Sequence, residues 1–195
     1  MAQVSSIPKV INLNSEGVIF FMRHGQCKSN VEWPINNYTD EKDPLTELGI
    51  SQAEGAGNFL KKRFPNIFWN IVTSNLLRAK ETGKIVCSIT NSNILHNDER
   101  INEFDSSNET IDNFQERLES FLKDAVKIKN NVNERLLIVA HGFVLEKLIC
   151  HSLSVKINII DKGDHGGQKG ICTHANCGIS AFYNNELLMW NYNPN

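Results

Sequence analysis

Apolar residues in this chain gather in short blocks between longer polar stretches, and block length identifies the element. Val18-Ile19-Phe20-Phe21-Met22 and Leu136-Leu137-Ile138-Val139-Ala140 are unbroken apolar runs. Runs this short, without alternation, fit strands buried on both faces. Phe68 to Thr73 predicts a further strand, and Ile94 to Glu103 a weaker extended piece. Elsewhere the spacing is helical. The clearest case is Thr110 to Lys129, where Ile111, Phe114, Leu118, Phe121, Leu122 and Ala125 make one apolar stripe. A helix from about Glu47 to Lys62 takes Thr46 as its N-cap and places Leu48, Gln52, Ala56, Phe59 and Leu60 on one face. Ser74 caps a third helix, Asn75 to Ser88, and a fourth runs from about Phe143 to Leu153. Strands Gly178 to Tyr183 and Leu187 to Tyr192 close the chain around an Asn184-Asn185 turn.

Strands alternating with helices predict an α/β fold with three α/β/α layers. The central sheet is mostly parallel, with helices on both faces and an antiparallel strand near the C-terminal end. Residues 1–16 read as a polar leader and 17–195 as one domain, without repeats, low-complexity tracts or a dividing linker. Residues 25–44 and the Gly-rich stretch from Lys162 to Gly170 read as loops.

A length of 195 residues with 41% hydrophobic and 22% charged residues is enough for a core that needs no disulfide or metal. The net charge of −2 argues against a nucleic-acid surface, so an anionic ligand must be gripped by local cations. Five cysteines, an odd number, favour reduced thiols over a disulfide framework. The first residues lack the basic start and apolar stretch of a signal peptide, and no apolar run is long enough to cross a bilayer. The expectation is a soluble cytoplasmic protein with no nucleic-acid or membrane partner.

Candidate chemistry sits where the strands end. Arg23-His24-Gly25 follows the first buried run, His141-Gly142 follows the Leu136–Ala140 run, and Ser74 to Arg78 follows the Phe68–Thr73 strand. In open α/β sheets, ligands collect at the carboxyl ends of strands. Arg78 lies about one turn inside its helix, and helical side chains lean toward the helix N-terminus, so its guanidinium reaches the same edge. Two arginines with two histidines suit a phosphate dianion: the guanidinium fork matches phosphate oxygens, and an imidazole serves as nucleophile or as protonated clamp. With no carboxylate in these motifs, such a cluster is costly to bury unless an anion occupies it.

Arg23-His24-Gly25-Gln26-Cys27-Lys28-Ser29-Asn30 resembles the R-H-G-x-[ST]-x-x-N signature of the histidine phosphatase (phosphoglycerate mutase-like) superfamily. Pro44-Leu45-Thr46-Glu47-Leu48-Gly49, then Gln52-Ala53, resembles its next segment. Ser74-Asn75-Leu76-Leu77-Arg78-Ala79-Lys80-Glu81-Thr82 matches its S-x-L-x-R-A-x-x-T block, and Val139-Ala140-His141-Gly142 its last catalytic block. Asn176-Cys177-Gly178-Ile179 resembles the start of its late strand. The blocks run in family order over residues 18–183.

The resemblance implies a metal-independent phosphomonoesterase without a cofactor. His24 is then the nucleophile that forms phosphohistidine. Arg23, Arg78, His141 and Asn30 hold the phosphoryl oxygens, assisted by the Gly142 N–H, and Glu103 is the proton donor. Two departures stand out: Cys27 replaces the usual hydroxyl, and residues 104–109 lack the family's Trp-Glu-Gly pattern, which keeps Asp105 and Glu109 as alternative donors. The family also contains mutases, but their L-N-E-R-H-Y-G stretch is absent here, which favours hydrolysis; the other rivals are a non-catalytic phosphoester binder and a metal-dependent hydrolase with His and Asp ligands. The expected substrate is a small phosphorylated molecule or a phosphoprotein, and specificity is expected to reside in residues 31–43, 104–109 and 161–175. Lys162 and Lys169 are candidates for a second anionic group. His165, Cys172, His174 and Cys177 match no common zinc spacing.

Overall fold

Six strands in one sheet and four α-helices make up the computed structural model, which describes residues 17–31, 42–128, 133–152, 174–183 and 186–194. In chain order they are β1 (Ile19–Arg23), α1 (Glu47–Arg63), β2 (Phe68–Ser74), α2 (Leu77–Thr90) and β3 (Asn93–Asp98), then α3 (Ile111–Ala125), β4 (Glu134–Ala140), α4 (Gly142–Ser152), β5 (Ile179–Tyr183) and β6 (Glu186–Tyr192). The sheet order is β3-β2-β4-β1-β5-β6. β3, β2, β4 and β1 run parallel, while β5 is antiparallel to both β1 and β6.

The expected three layers are present. On one face α1 and α2 pack Ala53, Ala56, Leu60, Ala79 and Val86 against Phe20, Met22, Ile71, Leu137 and Val139. On the other, α3 and α4 pack Phe114, Leu118, Phe121, Val144 and Leu148 against Phe21, Val72, Leu136 and Ile138. Alternate residues of β1 and β4 thus serve opposite cores, which is why both strands read as unbroken apolar runs.

Three local expectations are corrected. The buried face of α1 is Gly49, Ala53, Ala56, Gly57 and Leu60, whereas Leu48 is 53% exposed. Closeness decided this: a Cβ on Gly57 would press on the Ile89 side chain of α2, so the helix pair demands small residues. Helix α2 begins at Leu77 with Leu76 at the N-cap position, and Ser74 remains the last residue of β2. The extended piece after Ile94 stops at Asp98, where the Asp98 carboxylate accepts from the Arg100 N–H and opens a 3-10 turn, Glu99–Ile101, that buries Ile101.

The 1–16 leader, most of 31–43, the 162–170 loop with Lys162 and Lys169, and the Asn184-Asn185 turn lie outside the described residues. Among the described residues no helix is long and apolar enough to cross a membrane.

Candidate active site

Register delivers the two histidines together. Arg23 pairs with Ala140, and the His24 N–H donates to the Ala140 carbonyl at 3.0 Å, so β1 and β4 end level. His24 and His141 emerge side by side, with ring centres 5.1 Å apart. β2 lies against β4 on the other side and brings Ser74 to 2.8 Å from His141 Nε2.

The turn after His24 is tied to both helices of one face. The Gly25 N–H donates to Thr82 Oγ1, whose hydroxyl in turn donates to the Arg78 carbonyl. The Gln26 N–H donates to Gln52 Oε1, and Thr46 Oγ1 donates to Gln26 Oε1 while capping α1 at the Gly49 N–H. Gly25 and Gly49 make this approach possible, since a Cβ on Gly25 would collide with the Gly49 backbone and one on Gly49 with that of Gln26.

His24 is 3% exposed, and its Nδ1 lies 2.7 Å from the Gly25 carbonyl. A carbonyl only accepts, so Nδ1 carries the proton and Nε2 keeps its lone pair. Burial, then the charges of Arg78 and Arg23, hold the ring's pKa well below 6.5, so it is neutral at neutral pH. The same causes, with burial again the largest, hold His141 low.

Arg23 donates from Nη1 to the His174 carbonyl at 2.7 Å, while its buried Nε has no hydrogen-bond partner among the described residues. The guanidinium lies over Gly142, the first residue of α4. Arg78 is buried, with Nη1 3.4 Å from Asp43 Oδ2. Asp43 also accepts from the Ser29 N–H at 3.0 Å and the Ser29 hydroxyl at 2.6 Å. Sequence reasoning missed this buried carboxylate, although an acid directly before the Pro44-Leu45-Thr46 block of an otherwise cationic site was the available signal.

Asn30 is exposed, and its Oδ1 accepts from the Cys27 N–H at 3.2 Å, so the oxygen serves the 3-10 turn Lys28–Asn30. The Cys27 thiol is 3.3 Å from Ser29 Oγ, and burial pushes its pKa up to about 11. It is a neutral thiol there, not a nucleophile.

The three acids proposed as proton donors line one cleft of about 410 Å³ with Asn102 and Arg117, but their states differ. Burial raises the Glu103 pKa and outweighs the opposing N–H of Phe104 and the charges of Arg78 and Arg23. Hydrogen bonds from Ser107 pull Asp105 down. Glu109 is bound to Arg117 at 2.6 Å. Of the set considered for zinc, His174 Nε2 bonds Ser180 Oγ, and Cys177 is a buried thiol pushed up to about 12; His165 and Cys172 lie outside the described residues.

Two guanidiniums, two neutral imidazoles and the start of a helix thus converge at one sheet edge, with a carboxyl of raised pKa beside them. Such a site can hold a phosphoryl group and present it to a nitrogen lone pair.

The profile of the histidine phosphatase superfamily (branch 1) matches residues 19–108 and 98–176. A Xenopus laevis protein named fructose-2,6-bisphosphatase TIGAR is 37% identical over 81 residues, 41% of this chain and 26% of the relative. A 2,3-bisphosphoglycerate-dependent phosphoglycerate mutase of Methylocella silvestris is 42% identical over 72 residues, 35% of this chain and 32% of the relative. The matches therefore span only about a quarter to a third of these relatives' length. A mycobacterial glucosyl-3-phosphoglycerate phosphatase, solved with VO3, shares the fold with a TM-score of 0.65 at 19% identity, covering 89% of this chain and 98% of that one.

Proposed function

The chain belongs to the histidine phosphatase superfamily, and on that footing we propose that it hydrolyses phosphate monoesters through a phosphohistidine on His24. The observation that carries the reading is the His24 ring itself: neutral, buried, with its proton given to Gly25 and Nε2 left as a lone pair beside two arginines.

In the first step Nε2 attacks phosphorus in line, forming the N–P bond as the bond to the ester oxygen breaks. Arg23, Arg78 and the Gly142 N–H hold the phosphoryl oxygens and take up the charge as it spreads, with His141 and the Asn30 amide beside them. Glu103, whose pKa is raised by burial, gives a proton to the departing oxygen. In the second step the same carboxylate takes a proton from water, which attacks the phosphohistidine and releases inorganic phosphate. Covalent catalysis divides one difficult displacement into two easier ones. The guanidiniums supply the charge, so the reaction proceeds without a metal ion or cofactor.

The substrate is a small phosphorylated metabolite or a phosphoprotein, met in a reducing cytoplasmic compartment. A second reading, transfer of the phosphoryl group back to the substrate, is favoured by the mutase likeness over 72 residues. A panel of phosphate esters, 3-phosphoglycerate included, assayed with wild type and His24→Ala separates them. Release of inorganic phosphate by wild type, unaffected by EDTA and lost in a folded His24→Ala protein, is the expected result. Isomerised phosphoglycerate without phosphate release supports the mutase, and turnover by His24→Ala at the native rate sinks both.

A further inference from the structure

His141 Nε2 lies 2.8 Å from Ser74 Oγ, while its buried Nδ1 has no hydrogen-bond partner among the described residues. The direction of the Ser74 bond follows from the atoms beyond it. Ser74 Oγ is also 2.8 Å from the side-chain oxygen of Asn102, and that atom accepts the Asn75 N–H at 2.9 Å. Because a backbone N–H can only donate, the Asn102 atom must be the carbonyl oxygen and not the amide nitrogen. An oxygen that only accepts must draw the hydroxyl proton of Ser74. Ser74 Oγ, which also accepts the Leu76 N–H at 3.1 Å, can therefore only accept from His141.

We propose that Ser74 and Asn102 are positioning residues whose relay holds the His141 proton on Nε2 and leaves Nδ1 as the nitrogen offered to the phosphoryl group. This rests on the function proposed above and extends it. A neutral His141 turns a lone pair toward phosphate oxygens and repels them; only a second proton, at Nδ1, makes the ring a donor. Burial first, then the charges of Arg78, Arg23 and Arg117, oppose that proton before phosphate binds. A phosphate anion reverses the balance. A bound monoanion passes its proton to Nδ1 and becomes a dianion beside an imidazolium, with atoms and charge conserved. The relay ensures that the proton arrives on the side where phosphate sits.

Long-range proton–nitrogen NMR correlation on uniformly 15N-labelled protein reads the tautomer without requiring turnover, with His141 assigned by its loss in His141→Gln. The phosphate-free wild type is expected to show the Nε2–H form, and inorganic phosphate to add a proton at Nδ1. Ser74→Ala and Asn102→Leu should lose the pure Nε2–H signature and drop kcat/KM by about 10- to 100-fold. Asn102→Asp, which retains an accepting oxygen, should keep the tautomer. An Nδ1–H ring in the wild type overturns the proposal. So does a folded Ser74→Ala and Asn102→Leu pair with the Nε2–H form and native kcat/KM. A wild type with the expected tautomer but no activity on any ester supports the relay and sinks the phosphatase reading instead.

Discussion

The rings of His24 and His141 stand 5.1 Å apart, tilted by 57°, and each is kept neutral by burial and by the charges of Arg78 and Arg23. Neither ring is protonated cheaply in that setting, and under the proposed function a phosphate dianion would remove that obstacle for the ring that faces it. On the proposed function, the pair should therefore couple phosphate binding to proton uptake and stability.

Acid should therefore destabilise the phosphate-free protein. Both folded pKa values lie below the unfolded 6.5, so the unfolded chain binds more protons as pH falls beneath that value. The loss between pH 7 and pH 5 is at most about 2 kcal/mol per ring. Denaturant titrations at the two pH values, with and without phosphate, check this: phosphate should restore much of the loss. A stability that is flat with pH and indifferent to phosphate would contradict the burial argument.

The pH dependence of kcat/KM should have two limbs. His24 acts unprotonated, so activity rises through a pKa below 6.5. Glu103 acts protonated, so activity falls through a pKa above 4.5. Glu103→Gln is expected to abolish the descending limb and to slow esters with poor leaving groups by about 10²- to 10⁴-fold, with far less effect on p-nitrophenyl phosphate. If Asp105→Asn or Glu109→Gln removes that limb instead, the donor is misassigned.

Asp43 should matter for both stability and catalysis. It is 2% exposed and holds the Ser29 hydroxyl and N–H together with the Arg78 guanidinium. Asp43→Ala leaves a buried arginine with less compensation, which costs about 3 kcal/mol. It also loosens the phosphate fork, so KM should rise about tenfold or more. Thermal melts and kinetics test this, and inorganic phosphate should rescue part of the stability loss. An unchanged KM would remove Asp43 from the site.

Gly49→Ala should damage the site although Gly49 touches no reacting group. Its added methyl meets the Gln26 backbone, and neither partner is a flexible side chain. The expected cost is about 1–3 kcal/mol, with lost turnover as the turn that follows His24 shifts. Wild-type melting and kinetics for Gly49→Ala would show that the turn has more room than the structure gives it.

By itself the amino-acid sequence identified which candidate side chains stand at strand ends. An unbroken apolar run this short fits a strand covered on both faces, and its end is the sheet edge, so the placement of Arg23, His24 and His141 at strand ends was legible from position. Arg78 was legible because helical side chains lean toward the N-terminus. Local spacing carried no information about Asp43, Ser74 or Leu48. Asp43 meets Arg78 across 35 residues and Ser74 meets His141 across 67. Leu48 faces solvent because the approach of α1 to α2 and to the turn at Gln26 admits only small side chains. Strand order, register and the proton directions around His141 depend on which distant atoms come within about 3 Å, the reach of a hydrogen bond. That distance is set by how the layers pack, and no periodicity along the chain encodes it.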